Sequence, residues 1–166
     1  MIVVSDATPL ISLMKVSKLE ILGTLYGEVL IHLAVFSELT SNPKFTDEAE
    51  TIRNCPFIRV VTVNEQKEVK ELQKISGLDL GESEAIVCVH ANKADVLLID
   101  ESAGRRTAQA MGIHVQGTIG ILLTAYDQKI LYAESIRESF TKLIDTNRHI
   151  SQKLFTYAID YLERRI

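Results

Sequence analysis

Val96-Leu97-Leu98-Ile99-Asp100-Glu101 is a short apolar run that ends abruptly in two carboxylates. Such a run is typical of a buried strand in a parallel sheet, with Asp100 at its carboxyl end. The preceding segment, residues 80–87, has the sequence LGESEAIV and reads as a helix that opens on acidic residues. In open α/β sheets, ligands bind in the crevice outside the carboxyl ends of the strands. If Glu82 and Asp100 meet there, we expect them to bind a divalent cation.

The rest of the chain alternates between short β-branched runs and helical patterns. Strands are predicted at residues 2–4, 28–32, 58–63, 96–99 and 114–117. Two short helices are predicted after Pro9, with a break near Ser17, and another helix begins near Glu82. Further helices are predicted at residues 33–39, 47–54, 65–75, 103–111 and 118–128. Residues 135–144 and 151–166 form a pair of amphipathic helices without a strand. The pattern predicts one domain over residues 1–166, an α/β/α sandwich around a mainly parallel sheet, with 135–166 as a C-terminal helical pair.

Composition narrows the class of protein. The chain has 166 residues, is 46% hydrophobic and carries a formal net charge of −4. That charge argues against a protein that coats nucleic acid through bulk charge, although a local basic groove stays possible. No apolar run approaches the roughly 20 residues that span a bilayer, and the N-terminus lacks the features of a signal peptide. Two cysteines without metal-type spacing favour a reducing cytoplasm, and no membrane association is expected.

Four acidic residues fall at predicted strand ends or on adjacent helices: Asp6, Glu38, Glu82 and Asp100. Carboxylates that are clustered in space repel one another unless a cation or protons neutralise them. Mg²⁺ and Mn²⁺ favour oxygen ligands, so these acids could form a site for either ion. Each acid also has a structural interpretation: Asp6 as a helix N-cap, Glu38 as a solvated side chain, and Glu82 as a partner of the helix dipole. Asp100, directly after an apolar strand, is the least easily explained in this way.

The order of these acids is similar to that of a known family. Four segments carry the similarity. Residues 4–11 place Asp6 after the first strand, and residues 35–39 hold the helical pattern Val35-x-x-Glu38. Residues 81–86 are the segment GESEAI with Glu82, and residues 98–101 place Asp100 after the next buried strand. Together they resemble the PIN-domain family, the nuclease fold of VapC-type toxins in toxin–antitoxin pairs. Residues 104–108 and 112–122 resemble a branch known mainly as predicted nucleic-acid-binding PIN proteins.

The resemblance implies a metal-dependent endoribonuclease in which Asp6, Glu38, Glu82 and Asp100 are the catalytic and metal-binding residues. It implies Mg²⁺ or Mn²⁺ as the cofactor and RNA as the substrate. It also implies a small antitoxin protein as a partner, and a homodimer.

The chain departs from the family pattern at the third acid. Most toxins have aspartate where Glu82 stands, and we keep Glu84 as its substitute. Glu101 occupies a position where this branch often has a second aspartate. Thr8 could hydrogen-bond Asp6 or a metal-bound water, or serve only as a helix-start hydroxyl. Arg105 could contact a substrate phosphate, or pair with Asp100 or Glu101 and hold their geometry.

Two other functions are consistent with the sequence. The protein could be a catalytically silent PIN-like module that binds nucleic acid or protein. It could also be a metal-dependent hydrolase of small phosphate esters. Tight Mn²⁺ binding without cleavage of any RNA would favour the first of these, and salt-dependent RNA binding would count against the second.

Overall fold

Five parallel strands form one sheet in the computed structural model, which describes residues 1–146 and 150–164. The strands lie side by side in the order β3-β2-β1-β4-β5, and each neighbouring pair is parallel. Their bounds are β1 Val3–Ser5, β2 Val29–His32, β3 Ile58–Val61, β4 Val96–Leu98 and β5 Val115–Gln116. The predicted parallel α/β architecture is confirmed, although β3 ends two residues before its β-branched run does.

Helices follow the strands as the sequence predicts, and most ends lie within one or two residues of the predicted positions. No helix among the described residues is long and apolar enough to cross a membrane. The predicted final helix extends into residues 165–166, which lie outside the described part of the chain, as do residues 147–149. The helices are α1 Ala7–Lys15, α2 Ile21–Tyr26, α3 Leu33–Thr40, α4 Thr46–Arg53, α5 Gln66–Ser76, α6 Leu80–Asn92, α7 Ser102–Ala110, α8 Thr118–Asp127, α9 Ala133–Asp145 and α10 Gln152–Glu163.

The side chains of the strands alternate between two apolar layers. Val3 and Leu98 pack in one layer with α1, α2, α3, α4, α8, α9 and α10. Val4 and Leu97 pack in the other layer with α5, α6 and α7. Because successive residues of a strand point to opposite faces, strands that are apolar throughout must be covered on both sides. The continuous apolar runs in the sequence therefore explain the three-layer sandwich.

The order in which strands are added to the sheet reverses between β1 and β4. The chain builds β1, β2 and β3 outward to one side, and then returns to place β4 and β5 on the other side of β1. At this switch point the backbone N–H of Asp6 donates to the carbonyl of Leu98, at an N–O distance of 2.9 Å. Asp6 and Asp100 therefore follow neighbouring strands at the carboxyl edge, where this class of fold binds ligands.

Two isoleucines on neighbouring helices test how much of the stability comes from these layers. The side chain of Ile86 in α6 is fully buried, whereas Ile75 in α5 is 85% exposed. We expect Ile86→Ala to lower the free energy of unfolding by about 2–5 kcal/mol, because it leaves a cavity in the core. Ile75→Ala, the matched control, should change it by less than about 0.5 kcal/mol. Urea denaturation of both variants measures the difference, and equal effects would contradict the described packing of α6.

Candidate functional site

Three carboxylates from separate parts of the chain converge on the first turn of α6. A methyl group built on Gly81 would lie 3.6 Å from Asp79 Oδ1, 3.6 Å from Glu38 Oε2 and 3.8 Å from Asp6 Oδ1. Asp6 follows β1, Glu38 lies on α3, and Asp79 is the residue before α6. The structure therefore brings two of the predicted acids, Asp6 and Glu38, to one place. It adds Asp79, which the sequence analysis did not select.

The carboxyl group of Asp6 is buried and its pKa is strongly raised. Only 4% of the residue is exposed, and burial raises the pKa of Asp6 from 3.8 to about 7. The backbone N–H groups of Ala7 and Thr8 lower this pKa, while the charges of Glu38 and Asp79 raise it further. Burial and like charges thus oppose ionisation of Asp6, and a bound proton or cation would relieve both.

Glu82 is held beside this cluster by the start of its own helix. The backbone N–H of Glu82 donates to Asp79 Oδ1 at 2.8 Å, and the N–H of Asp79 donates to Glu82 Oε2 at 3.2 Å. This reciprocal pair is a capping box, which satisfies N–H groups that the first turn leaves unpaired. Burial raises the pKa of Glu82, and the charges of Asp79 and Glu101 add to that effect. Ionisation of Glu82 is therefore disfavoured, as it is for Asp6, and the side chain of Glu82 anchors Asp79.

The other oxygen of Glu82 faces α7. A methyl group on Gly104 would lie 2.8 Å from Glu82 Oε1 and 2.4 Å from Ile99 Cδ1. A larger residue at position 104 would have to displace the ends of both side chains, so glycine lets α7 approach α6 with Glu82 and Ile99 in their present positions.

Asp100 is fixed by the start of α8. The backbone N–H of Thr118 donates to Asp100 Oδ1 at 2.7 Å, and the hydroxyl of Thr118 donates to Asp100 Oδ2 at 2.6 Å. A methyl group on Gly117 would lie 2.9 Å from Asp100 Oδ1, so a larger residue there would have to displace this carboxylate. Two hydrogen bonds to one carboxylate hold it in a single orientation, and charged acceptors make such bonds strong. Thr118 is therefore a site residue that sequence reasoning missed.

Arg105, Glu101 and Thr8, which the sequence predicted as supporting residues, lie at different places around the site. The guanidinium of Arg105 donates to the carbonyl of Ile99 at 2.8 Å, at the end of the strand that precedes Asp100. Within residues 1–146 and 150–164, Arg105 forms no ion pair with Asp100 or Glu101. Glu101 is exposed at the N-cap position of α7, and its side chain forms no capping hydrogen bond. The backbone N–H of Thr8 acts on the carboxylate of Asp6.

Glu84, the proposed substitute for Glu82, pairs with another side chain. Its carboxylate contacts Nδ1 of His32, and both side chains are 6% exposed. His32 ends β2 and occupies the N-cap position of α3, where its Nδ1 accepts from the N–H of Ala34 at 3.2 Å. This contact therefore lies between α6 and the start of the helix that carries Glu38.

The chemistry of the cluster fits a hard divalent cation. Its donors are carboxylate oxygens, which Mg²⁺ and Mn²⁺ prefer, and burial together with the charges of Glu38 and Asp79 raises the pKa of Asp6. As the side chains stand in residues 1–146 and 150–164, no three His, Cys, Asp or Glu side chains are arranged to hold an ion together. Binding would therefore require side-chain rotations that bring the carboxylates closer.

A family model described as a PIN domain matches residues 2–164 of the chain. The chain belongs to the PIN-domain family. PIN domains are generally nucleases, and PIN nucleases generally use divalent metal ions. No curated protein and no solved structure gives a significant match. The match confirms the family that residues 4–11, 35–39, 81–86 and 98–101 indicated, and it extends over the C-terminal helices.

One signal in the sequence could have identified Asp79. The spacing Asp79-x-x-Glu82 before an apolar helix is the pattern of a capping box, which places Asp79 at an N-cap beside the other acids. No local sequence pattern indicates the role of Thr118, because that role depends on its contact with Asp100, 18 positions earlier in the chain.

The raised pKa of Asp6 predicts an unusual dependence of stability on pH. The folded protein keeps the Asp6 proton up to about pH 7, whereas the unfolded chain releases it near pH 3.8. The folded state therefore binds more protons over this range, and stability falls as the pH rises through it. Without divalent ions, Asp6→Asn should exceed the wild type in free energy of unfolding by roughly 1–4 kcal/mol at pH 8, and by little at pH 4.

Denaturant titrations at both pH values in the presence of a chelator measure this difference. Asp160→Asn, at an exposed position of α10, serves as the control and should show no such change. A difference between Asp6→Asn and the wild type that stays constant with pH would contradict the assigned pKa.

Proposed function

We propose that the protein is a Mg²⁺- or Mn²⁺-dependent endoribonuclease. The observation that carries this proposal is the convergence of Asp6, Glu38 and Asp79 around Gly81, at the carboxyl edge of the sheet. A buried carboxyl group with a pKa of about 7 among other acids is typical of a functional site. Membership of a family that is generally nucleolytic supports phosphodiester cleavage, and the choice of RNA follows the family resemblance of the sequence.

Asp6, Glu38 and Asp79 would hold the ion. Glu82 and Asp100, also predicted as ligands, would contact it directly or through its water molecules, since Mg²⁺ usually retains several waters. When bound, the ion would polarise a phosphoryl oxygen and lower the pKa of water for attack on the phosphodiester.

The chain's own residues would orient the carboxylates and exclude bulk water from Asp6. Thr118 holds the carboxylate of Asp100, and the capping box holds those of Asp79 and Glu82, so the rotations that ion binding requires would start from defined orientations of these three acids. Burial of Asp6 limits its access to bulk water, which strengthens its interaction with a cation.

Asparagine substitutions test this assignment. Asp6→Asn, Asp79→Asn and Asp100→Asn should each lower kcat for cleavage of mixed RNA in Mn²⁺ by about 100-fold or more, since each removes a charge from the site. Asp160→Asn should cleave like the wild type. Calorimetric titration with Mn²⁺ should show weakened binding in the three site variants. Full activity in Asp6→Asn would overturn the proposal.

The alternative is a catalytically silent binding module. Tight Mn²⁺ binding by the wild type, with no cleavage of any RNA, would favour it over a nuclease.

We also propose that the nuclease is the toxin of a toxin–antitoxin pair. A groove of about 220 Å³ is lined by the apolar side chains of Ile11, Met14, Leu39 and Phe45, and its polar lining is Lys15, Glu38, Asn42 and Glu48. Its apolar lining, with two carboxylates and one lysine, suits a segment of an antitoxin that carries apolar and charged side chains. A homodimer acting in the cytoplasm is part of this proposal and follows the family resemblance and the cysteine usage.

Genetic context tests the toxin role. A neighbouring short reading frame that encodes a DNA-binding protein should, when co-expressed, restore growth that the nuclease inhibits. Phe45→Asp in the nuclease should weaken this rescue, because it places a charge in the apolar groove. Growth unaffected by expression of an active nuclease would argue for a role outside toxin–antitoxin pairs.

A further inference from the structure

A second cavity opens at the same edge of the sheet, on the side of Asp100. Its volume is about 310 Å³. One part of its wall is polar and comes from Thr8, Ser12, Asp100, Glu101, Ser102 and Thr118. The other part is apolar and comes from Ile119, Leu143, Ile150 and Leu154. The C-terminal helices, whose role the sequence left open, thus form one side of a cavity beside the proposed active site.

Ser12 is the most buried of the hydroxyl-bearing residues in this wall. It is 3% exposed, and its hydroxyl forms no hydrogen bond with another residue in the described ranges but is not among the fully enclosed groups. Ser139 in α9 is similarly buried, at 2%, but its hydroxyl donates to the carbonyl of Ser135 at 2.8 Å. The hydroxyl of Ser12 therefore faces the cavity with its hydrogen-bonding capacity unused by the protein. A ligand hydroxyl in the cavity would use this capacity.

The cavity adjoins the proposed site of cleavage. The N–H of Thr8 acts on the carboxylate of Asp6, while Thr8 itself lines the cavity. Asp100 lines it as well, with each carboxylate oxygen already accepting from Thr118. A group bound here would therefore contact Thr8, the residue two positions after Asp6.

The lining selects for a particular chemistry. Two carboxylates, Asp100 and Glu101, disfavour a phosphate inside the cavity, whereas they and the hydroxyls can bond neutral donors. The wall of Leu143, Ile150 and Leu154 suits the flat apolar face of a ring. A nucleoside combines these features, because its base is flat and its ribose carries hydroxyls.

We propose that this cavity binds the nucleoside next to the cleaved phosphate, and that Ser12 hydrogen-bonds its ribose 2′-hydroxyl. This proposal rests on the proposed nuclease function and deepens it, since the 2′-hydroxyl is the group that distinguishes RNA from DNA. The base lies against Leu143, Ile150 and Leu154.

Single 2′-deoxy substitutions in a short single-stranded RNA test the contact. Binding is measured by fluorescence anisotropy with Mn²⁺ in the Asp6→Asn background, so the result does not depend on catalysis. At one position, the 2′-deoxy change should weaken binding about 3- to 10-fold, the loss expected for one neutral hydrogen bond. Adding Ser12→Ala should weaken binding of the all-ribose RNA by a similar factor and abolish the effect of the deoxy change.

Ser139→Ala is the matched control, because it removes an equally buried serine hydroxyl that has its own partner. It should leave the effect of the deoxy change intact. No effect of deoxy substitution at any position, or an undiminished effect in Ser12→Ala, would overturn the proposal.

The apolar wall gives a second test that does not alter Ser12. Leu154 is 41% exposed on α10, so Leu154→Glu should fold and weaken RNA binding about 10-fold by placing a charge against the base. Tyr157→Glu, at a position of the same helix that is 57% exposed, should bind like the parent. Equal binding by both variants would contradict a nucleoside in this cavity.

The experiments can overturn the nuclease proposal and the nucleoside-binding proposal independently of each other. RNA cleavage by the wild type that is lost in Asp6→Asn, together with an unchanged deoxy effect in Ser12→Ala, would retain the nuclease and overturn the subsite. Loss of the deoxy effect in Ser12→Ala, without cleavage by the wild type, would support the subsite and overturn the nuclease.

Discussion

The burial of Asp6 among other carboxylates at the carboxyl edge of the sheet is the constraint on which the site depends. Asp6 is almost fully buried, and Glu38 and Asp79 both raise its pKa. A fold that gathers such groups loses stability when they ionise, unless a cation binds among them. The same imbalance makes the cluster suited to binding a hard cation, which links the cost in stability to the proposed function.

The surrounding structure holds these acids in place through hydrogen bonds from helix starts. α8 fixes Asp100 through Thr118, and α6 fixes Asp79 and Glu82 through the capping box. Helix N-termini suit this role because they present unpaired N–H groups and a positive dipole end. The two apolar layers on the faces of the sheet stabilise the fold and offset the destabilising effect of the clustered acids.

Much of the fold could be predicted from the sequence because its signals are local. The apolar run that ends at Asp100 predicts a buried strand, and Pro9 marks a helix start that the structure confirms within α1. The two close approaches at Gly104 and Gly117 could not be predicted, since each depends on which residue faces it across the fold. Gly104 meets Ile99 and Glu82, and Gly117 meets Asp100.

The sequence by itself determined the strands, the helices and the placement of acids at strand ends, because these follow from hydrophobic period and from residues close along the chain. Only the tertiary structure decided which side chains meet. It brought Asp79 beside Asp6 and Glu38, paired Glu84 with His32, and fixed Asp100 through Thr118. The physical reason is that a side chain's direction at a strand end or in a first helical turn depends on strand order and distant partners, which spacing does not encode.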